Sequence, residues 1–196
     1  MSYSKVKMKE KKNLPERKRV RLRDFDYSAP GGYFITLCTQ NRRCILSRIV
    51  GTGVPDGPQM RLLPHGIIAE KYIRQLDEFY EHISVEHYVI MPNHIHLLLL
   101  VKDGPSRTPV PTGLCSFPLL DGDRGYGMAV PTVQNSAVAK FISTLKRFCN
   151  KEFGENIWQR RSFDHVIRDR RDLEEHLKYI SENPMRWQYD EFYVQG

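Results

Sequence analysis

Cysteine is scarce in this chain and poorly spaced for cross-linking. The four that occur, Cys38, Cys44, Cys115 and Cys149, form no CxxC pair. That disfavours a disulfide scaffold or a zinc ribbon and fits a reducing, cytoplasmic setting. Long apolar runs are missing as well. The longest, Leu97 to Val101, is far short of the ~20 residues that a membrane helix needs, so no membrane partner is expected. The first residues carry charge from Lys5 onward and hold no apolar signal core, so export is not expected. Nor is there a charge excess outside one short stretch. Residues 1–22 hold nine Lys or Arg against two acids, a surplus equal to the +7 of the whole chain, while the remainder balances at twenty-one of each sign. The surplus reads as a basic arm over residues 1–26, which suits phosphate binding or a solvated, flexible terminus.

What is present suits one globular domain over residues 27–196. The chain has 196 residues, 40% hydrophobic and 27% charged, enough to bury a core. Gly31-Gly32 opens a β-branched and aromatic run, Tyr33 to Thr39, that reads as a strand. Gly51 to Gly57 is a turn region, and Met60 to Leu63 suggests a short strand. Ile68, Tyr72, Ile73, Leu76, Phe79 and Tyr80 recur at helical spacing and predict a helix over 66–81. Ile83 to Met91 and His94 to Val101 read as two strands, the second apolar on both faces and so central, with Pro92-Asn93 as a tight connection. Residues 102–133 contain five prolines and five glycines without periodicity, and read as a long loop insertion. Ser136 to Phe153 predicts a basic amphipathic helix stopped near Gly154, Trp158 to Ile167 holds a candidate strand, and Asp169 to Glu182 reads as a last helix before Pro184. The mixture predicts an α+β fold, a compact sandwich with a central, mainly antiparallel sheet and packed helices.

His94-Ile95-His96 is the clearest chemical feature. Residues i and i+2 of a strand share a face, so both imidazoles project together. Such a pair suits a divalent metal, or two hydrogen-bonded histidines on a sheet surface. Tyr179 and Asn183 lie four apart on the last helix, at the rim of the stripe Leu173, Leu177 and Ile180. A tyrosine oxygen can act as a nucleophile and an asparagine carbonyl can complete a metal site. The plainer reading is a tyrosine at the core edge and a helix-ending Asn183-Pro184.

Val89-Ile90-Met91-Pro92-Asn93-His94-Ile95-His96-Leu97 resembles the HUH motif of single-tyrosine transposases. Trp158-Gln159-Arg160, Phe163-Asp164-His165-Val166-Ile167-Arg168 and Tyr179-Ile180-Ser181-Glu182-Asn183-Pro184 are similar, in that order, to the C-terminal signature of the REP-associated tyrosine transposases. Tyr33 to Thr36 and Asn41-Arg42-Arg43 resemble the family's opening, so the likeness spans about residues 20–190. It implies that His94 and His96 are metal ligands, that Asn183 is a third ligand and that Tyr179 is the nucleophile. It also implies an HUH transposase-like fold, magnesium or manganese as cofactor, and action as a monomer or homodimer on single-stranded or hairpin DNA, in a nucleoid-associated setting. The family cuts beside palindromic hairpins through a 5′-phosphotyrosine, leaving a 3′-hydroxyl so that the break can be rejoined. Ser162-Phe163 stands where family members often carry an aromatic pair, and the 102–133 loop is longer than in compact members.

Around this centre, Asp164 and His165 are candidates for positioning DNA or supporting the metal ligands. Arg42, Arg43, Lys146, Arg147, Arg160 and Arg161 are candidate phosphate contacts, together with the arm. Trp158, Phe163 and Trp187 are candidates for stacking on unpaired bases, against core packing, which is the stronger reading for Trp187. Tyr189 is set aside as a nucleophile. The leading expectation is a metal-dependent DNA strand transferase or endonuclease. Its alternatives are a non-cleaving hairpin-binding relative and a phosphodiesterase that uses water.

Overall fold

The computed structural model describes residues 26–51, 59–102 and 136–194. The Gly51–Gly57 turn beyond Gly51, the basic arm before Asp26, Cys115 and all but Lys102 of the Gly/Pro-rich insertion lie outside the described residues. The elements in chain order are β1 (Gly31–Cys38), a 3-10 turn (Gln40–Arg42), β2 (Ser47–Val50), β3 (Gln59–Leu62), α1 (Pro64–Phe79), β4 (Ile83–Ile90), β5 (His94–Val101), α2 (Ala137–Phe153), β6 (Phe163–Val166), α3 (Arg170–Glu182) and a last 3-10 turn (Trp187–Tyr189).

The α+β expectation holds. The main sheet runs β4-β5-β1-β6 and every pairing in it is antiparallel. β5 and β1 are the interior strands, which explains why His94–Val101 is apolar on both faces. β2 and β3 form a separate hairpin; β2 is a strand that four residues of mixed polarity, Ser-Arg-Ile-Val, do not announce.

Strand alternation divides the sheet. Tyr33, Ile35 and Leu37 of β1 join Ile95, Leu97, Leu99 and Val101 of β5 in the main core, covered by α1 and α2. β4 keeps to this face only through a bulge. Its register shifts between Val85 and His87, so Ile83 and Val85 before the shift and Tyr88 and Ile90 after it all reach the same core. α1 approaches the chain closely at its first turn: a Cβ on Gly66 would meet the Leu46 carbonyl oxygen at 2.0 Å. α2 is capped by the Ser136 hydroxyl, which accepts from the Ala139 amide, and ends at Gly154 in the left-handed region (φ 73°). The other face of the sheet carries α3. There Ile180, Leu173 and Leu177 pack on Phe34, Leu98 and Val89.

Candidate active site

Antiparallel register builds the centre of the α3 face. His94 and His96 project from β5 on the same side as Leu98, and Thr36 of β1 lies directly opposite His96. The two imidazoles meet with their Nε2 atoms 2.9 Å apart. Behind them, each ring has an oxygen partner. His94 Nδ1 donates to Asn93 Oδ1 at 2.9 Å, and His96 Nδ1 lies 2.9 Å from Thr36 Oγ1. Asn93 cannot be turned round without loss, because its Nδ2 donates to the Phe192 carbonyl at 2.8 Å. The proton of His94 is therefore held on Nδ1, and the Nε2 lone pair faces the partner ring. Both histidines are buried, at 0% and 1% exposure. Burial, reinforced by the Arg42 charge, pushes His94 down to about 3, and burial holds His96 well below the ordinary range. Both rings are neutral near pH 7, the form that ligates a cation.

Two further donors complete the group. The Asp190 carboxylate, half-buried in the segment after the last 3-10 turn, brings an oxygen within 4.8 Å of ring nitrogens of both histidines. Asn183, buried at the end of α3, donates from Nδ2 to Asp190 Oδ2 at 3.2 Å, while its Oδ1 is buried without a hydrogen-bond partner. An orphaned carbonyl, a carboxylate and two neutral imidazoles fit a divalent cation.

Tyr179 belongs to the same constellation. It stands one turn before Asn183 on α3, and its ring meets His96 edge-on at 5.1 Å and Phe34 at 6.0 Å. The phenol donates to Asp190 Oδ2 at 3.2 Å. Burial, then the Asp190 charge, pushes it up to about 12, yet the side chain is 40% exposed. It opens on a cleft of about 360 Å³ that Glu182, Asn183, Arg186, Tyr189 and Asp190 also line. The histidines are covered from the other side by Phe192 and Trp187, whose rings lie 4.8 and 5.9 Å from His94.

The structure thus brings His94, His96, Tyr179 and Asn183 together. Asp190, Asn93 and Thr36 were not legible in advance. Asn93 stands inside the histidine motif, but Asp190 and Thr36 arrive through chain reversal and strand register, and neither leaves a local spacing signal.

The two candidate supporting residues separate. His165 is opposite Phe34 across β1 and β6, on the face of the histidine pair, but its Nε2 is engaged by Asp172. Asp164 is opposite Ile35, so alternation turns it to the other face, away from His94 and His96. Trp158 is a correction: at 1% exposure it belongs to the main core and offers no face to a base. A single bridge from Thr39 draws it inward. Trp187 is half-buried against His94 and Tyr193. Phe163 remains exposed on β6.

The basic candidates are in different states. Lys146 donates to the Gln159 carbonyl, Arg43 pairs with Glu155 at 3.1 Å, and Arg147 lies over the Phe148 ring. Arg42 donates to the Glu191 carbonyl and covers the Phe192 ring. Arg160 and Arg161 are exposed, and Arg160 lines an open groove of about 610 Å³ with Gln40, Asn41, Arg42 and Gln159. Tyr189 is 88% exposed. Among the described residues no helix is long and apolar enough to cross a membrane.

No protein-family model matches the chain. An uncharacterized protein of Haemophilus influenzae is 26% identical over 182 residues, 92% of this chain and 95% of its own. A putative REP-associated tyrosine transposase of the same organism is 30% identical over 135 residues, 61% of this chain and 63% of its own. The REP-associated tyrosine transposase of Escherichia coli is 25% identical over 160 residues, 82% of this chain and 70% of its own. The fold resembles a solved REP-associated tyrosine transposase bound to a REP hairpin, with a TM-score of 0.51 and 17% identity over 87% of this chain and 75% of that one. In sequence and in fold, the chain is a relative of the REP-associated tyrosine transposases.

Proposed function

We propose that this protein is a metal-dependent nuclease and strand transferase of single-stranded or hairpin DNA, with Tyr179 as nucleophile. The observation that carries the reading is the meeting of a solvent-reachable phenol with two buried neutral imidazoles, an orphaned amide oxygen and a carboxylate. The helix that bears the phenol and the strand that bears the imidazoles are joined through the Phe34 and His96 rings.

His94, His96 and Asp190, with Asn183 Oδ1, would hold magnesium or manganese. When bound, the cation supplies neutralisation of phosphate charge in the transition state. The chain's own residues do the rest. Tyr179 Oη attacks phosphorus and forms the 5′-phosphotyrosine bond, while the bond from phosphorus to the 3′-oxygen breaks. The phenol proton has a receiver in place, Asp190 Oδ2. The departing 3′-oxygen takes up a proton and becomes the 3′-hydroxyl. Asn183 Nδ2 holds the same carboxylate oxygen and so fixes the receiver against the phenol. With its own ionisation pushed up to about 12, Tyr179 rests as a phenol near pH 7. Keeping the phosphodiester energy in the tyrosyl ester suits rejoining, which a released water-cleaved product would not.

The test is covalent capture of labelled oligonucleotides drawn from palindromes, run with magnesium or manganese on a denaturing gel. The reading expects a metal-dependent protein–DNA band that disappears in Tyr179→Phe and in His94→Ala. One observation favours a second reading, a hairpin-binding protein that does not cut: both imidazoles are sealed beneath Phe192 and Trp187. Hairpin binding that survives both substitutions, with no covalent band from the unsubstituted chain, would establish that reading instead.

A further inference from the structure

A second set of metal-ligating side chains lies apart from the His94–His96 pair, where β6 meets the first turns of α3. His165 projects from β6. Asp172 and His176 are four residues apart on α3 and share a helix face. His165 Nε2 lies 2.8 and 3.0 Å from the two carboxylate oxygens of Asp172, and His176 Nδ1 lies 3.0 Å from Oδ1. One ligand atom from each of the three residues falls within 4.8 Å of the others.

We propose that His165, Asp172 and His176 form a second divalent-cation site, of the kind that takes zinc, which ties β6 to the helix carrying Tyr179. The donor set is the first argument. Two imidazoles and one carboxylate suit zinc, and three protein ligands leave a fourth position for water or another oxygen donor. The charge balance is the second. The Asp172 carboxylate accepts from the Arg168 amide at 2.9 Å, and its ionic partners among the described residues are the two histidines, with no Lys or Arg. Imidazoles carry charge only when protonated, so among the described residues this carboxylate, at 17% side-chain exposure, meets no permanent counter-charge of the kind a cation would provide.

Access is the third argument. The side chains of His165 and His176 are 39% and 22% exposed, so an ion can reach them from solvent. The competing arrangement is a purely hydrogen-bonded one. The two rings stack at 4.6 Å with only 16° between their planes, and His176 Nδ1 also lies 2.8 Å from the Asp172 carbonyl. Binding an ion replaces the protons that the two rings share with Asp172.

The placement gives the site a purpose. His176 packs on Phe34 at 4.6 Å, and Phe34 in turn stacks on His96 at 5.1 Å and meets Tyr179. An ion here would hold the N-terminal half of α3 on the sheet and so set the height of the phenol above the histidine pair. The proposal stands without the DNA-cutting reading, because its readout is metal binding.

The test titrates zinc into the full chain and into His165→Asn, with cobalt(II) absorption as a second readout of nitrogen and oxygen ligands in a tetrahedral field. The expected result is one equivalent fewer bound by the variant, loss of the corresponding cobalt bands, and loss of a zinc-induced rise in Tm. His176→Gln should reproduce the deficit, and circular dichroism of both variants checks that the fold is kept. Equal stoichiometry and equal cobalt spectra in all three proteins would overturn the site and leave His165 and His176 as hydrogen-bond partners of Asp172. If His165→Asn does not fold, His176→Gln alone decides between the same two outcomes.

Discussion

On one face of the main sheet, Tyr33, Ile35, Leu37, Ile95, Leu97 and Leu99 meet α1 and α2 in a continuous apolar core. On the other, the same two strands present Thr36, His94 and His96 beside a smaller cluster whose buried members among the described residues are Phe34, Leu98 and Ile180. Each residue on one face has a sequence neighbour on the other, so period-two alternation separates two kinds of chemistry across one backbone. The apolar face carries the stabilising burial. The polar face is thinly packed, and its buried imidazoles cost desolvation. Stability contributed by the first offsets the desolvation cost of the second.

The largest effect should come from emptying the apolar face. Phe141→Ala removes a fully buried ring of α2 and is expected to destabilise the fold by about 3–5 kcal/mol. Leu173→Ala, on the partly buried rim of the α3 cluster, should cost only about 1 kcal/mol. Urea denaturation of both variants measures the difference, and equal losses would break the contrast between the faces.

Acid should act on the polar face. In the metal-free chain with a chelator present, His94 and His96 stay neutral in the folded state, whereas unfolded imidazoles take up protons below about 6.5. The unfolded chain then binds more protons, so stability falls as the pH drops from about 6.5 towards 3 and is level above that window. The slope approaches about 1.4 kcal/mol per pH unit for each buried ring well below 6.5 and is shallower near it. Chemical denaturation between pH 7 and pH 5, above the range where ordinary carboxylates titrate, reads it directly. A flat profile would mean that the rings are charged or solvated in the fold.

The smallest change should be electrostatic and local. Asp190→Asn removes the charge that helps hold Tyr179 at about 12, so the phenol should ionise at lower pH. It should not return fully to 10, because burial is the larger cause and remains. Ultraviolet titration of the variant, with Tyr179→Phe as the blank, measures the shift. No movement would show that Asp190 is not the phenol's partner in solution.

Much of this contrast was legible in the sequence. Helical spacing in Ile68 to Tyr80 and Val138 to Phe148 located the two helices of the apolar face, and Gly154 marked the end of the second. The i, i+2 pair His94 and His96 and the i, i+4 pair Tyr179 and Asn183 identified one side of a site apiece. These signals survive because they are local: a strand or helix fixes which neighbours share a face whatever the rest of the chain does. The bulge in β4 was not legible, because Ile83, Val85, Tyr88 and Ile90 break the alternation that a regular strand would show.

Only tertiary structure decided what those halves meet. Register placed Thr36 against His96, and turned Asp164 away while keeping His165 on the working face. A cross-strand bridge drew Trp158 into the core, where an aromatic beside two arginines had read as a surface for bases. The return of the chain after α3 delivered Asp190 to both the phenol and the histidines. The sequence by itself determined the residues that can do chemistry and the elements that carry them, since both follow from local backbone geometry. Long-range pairing determined their company, because burial and strand register depend on residues far apart along the chain.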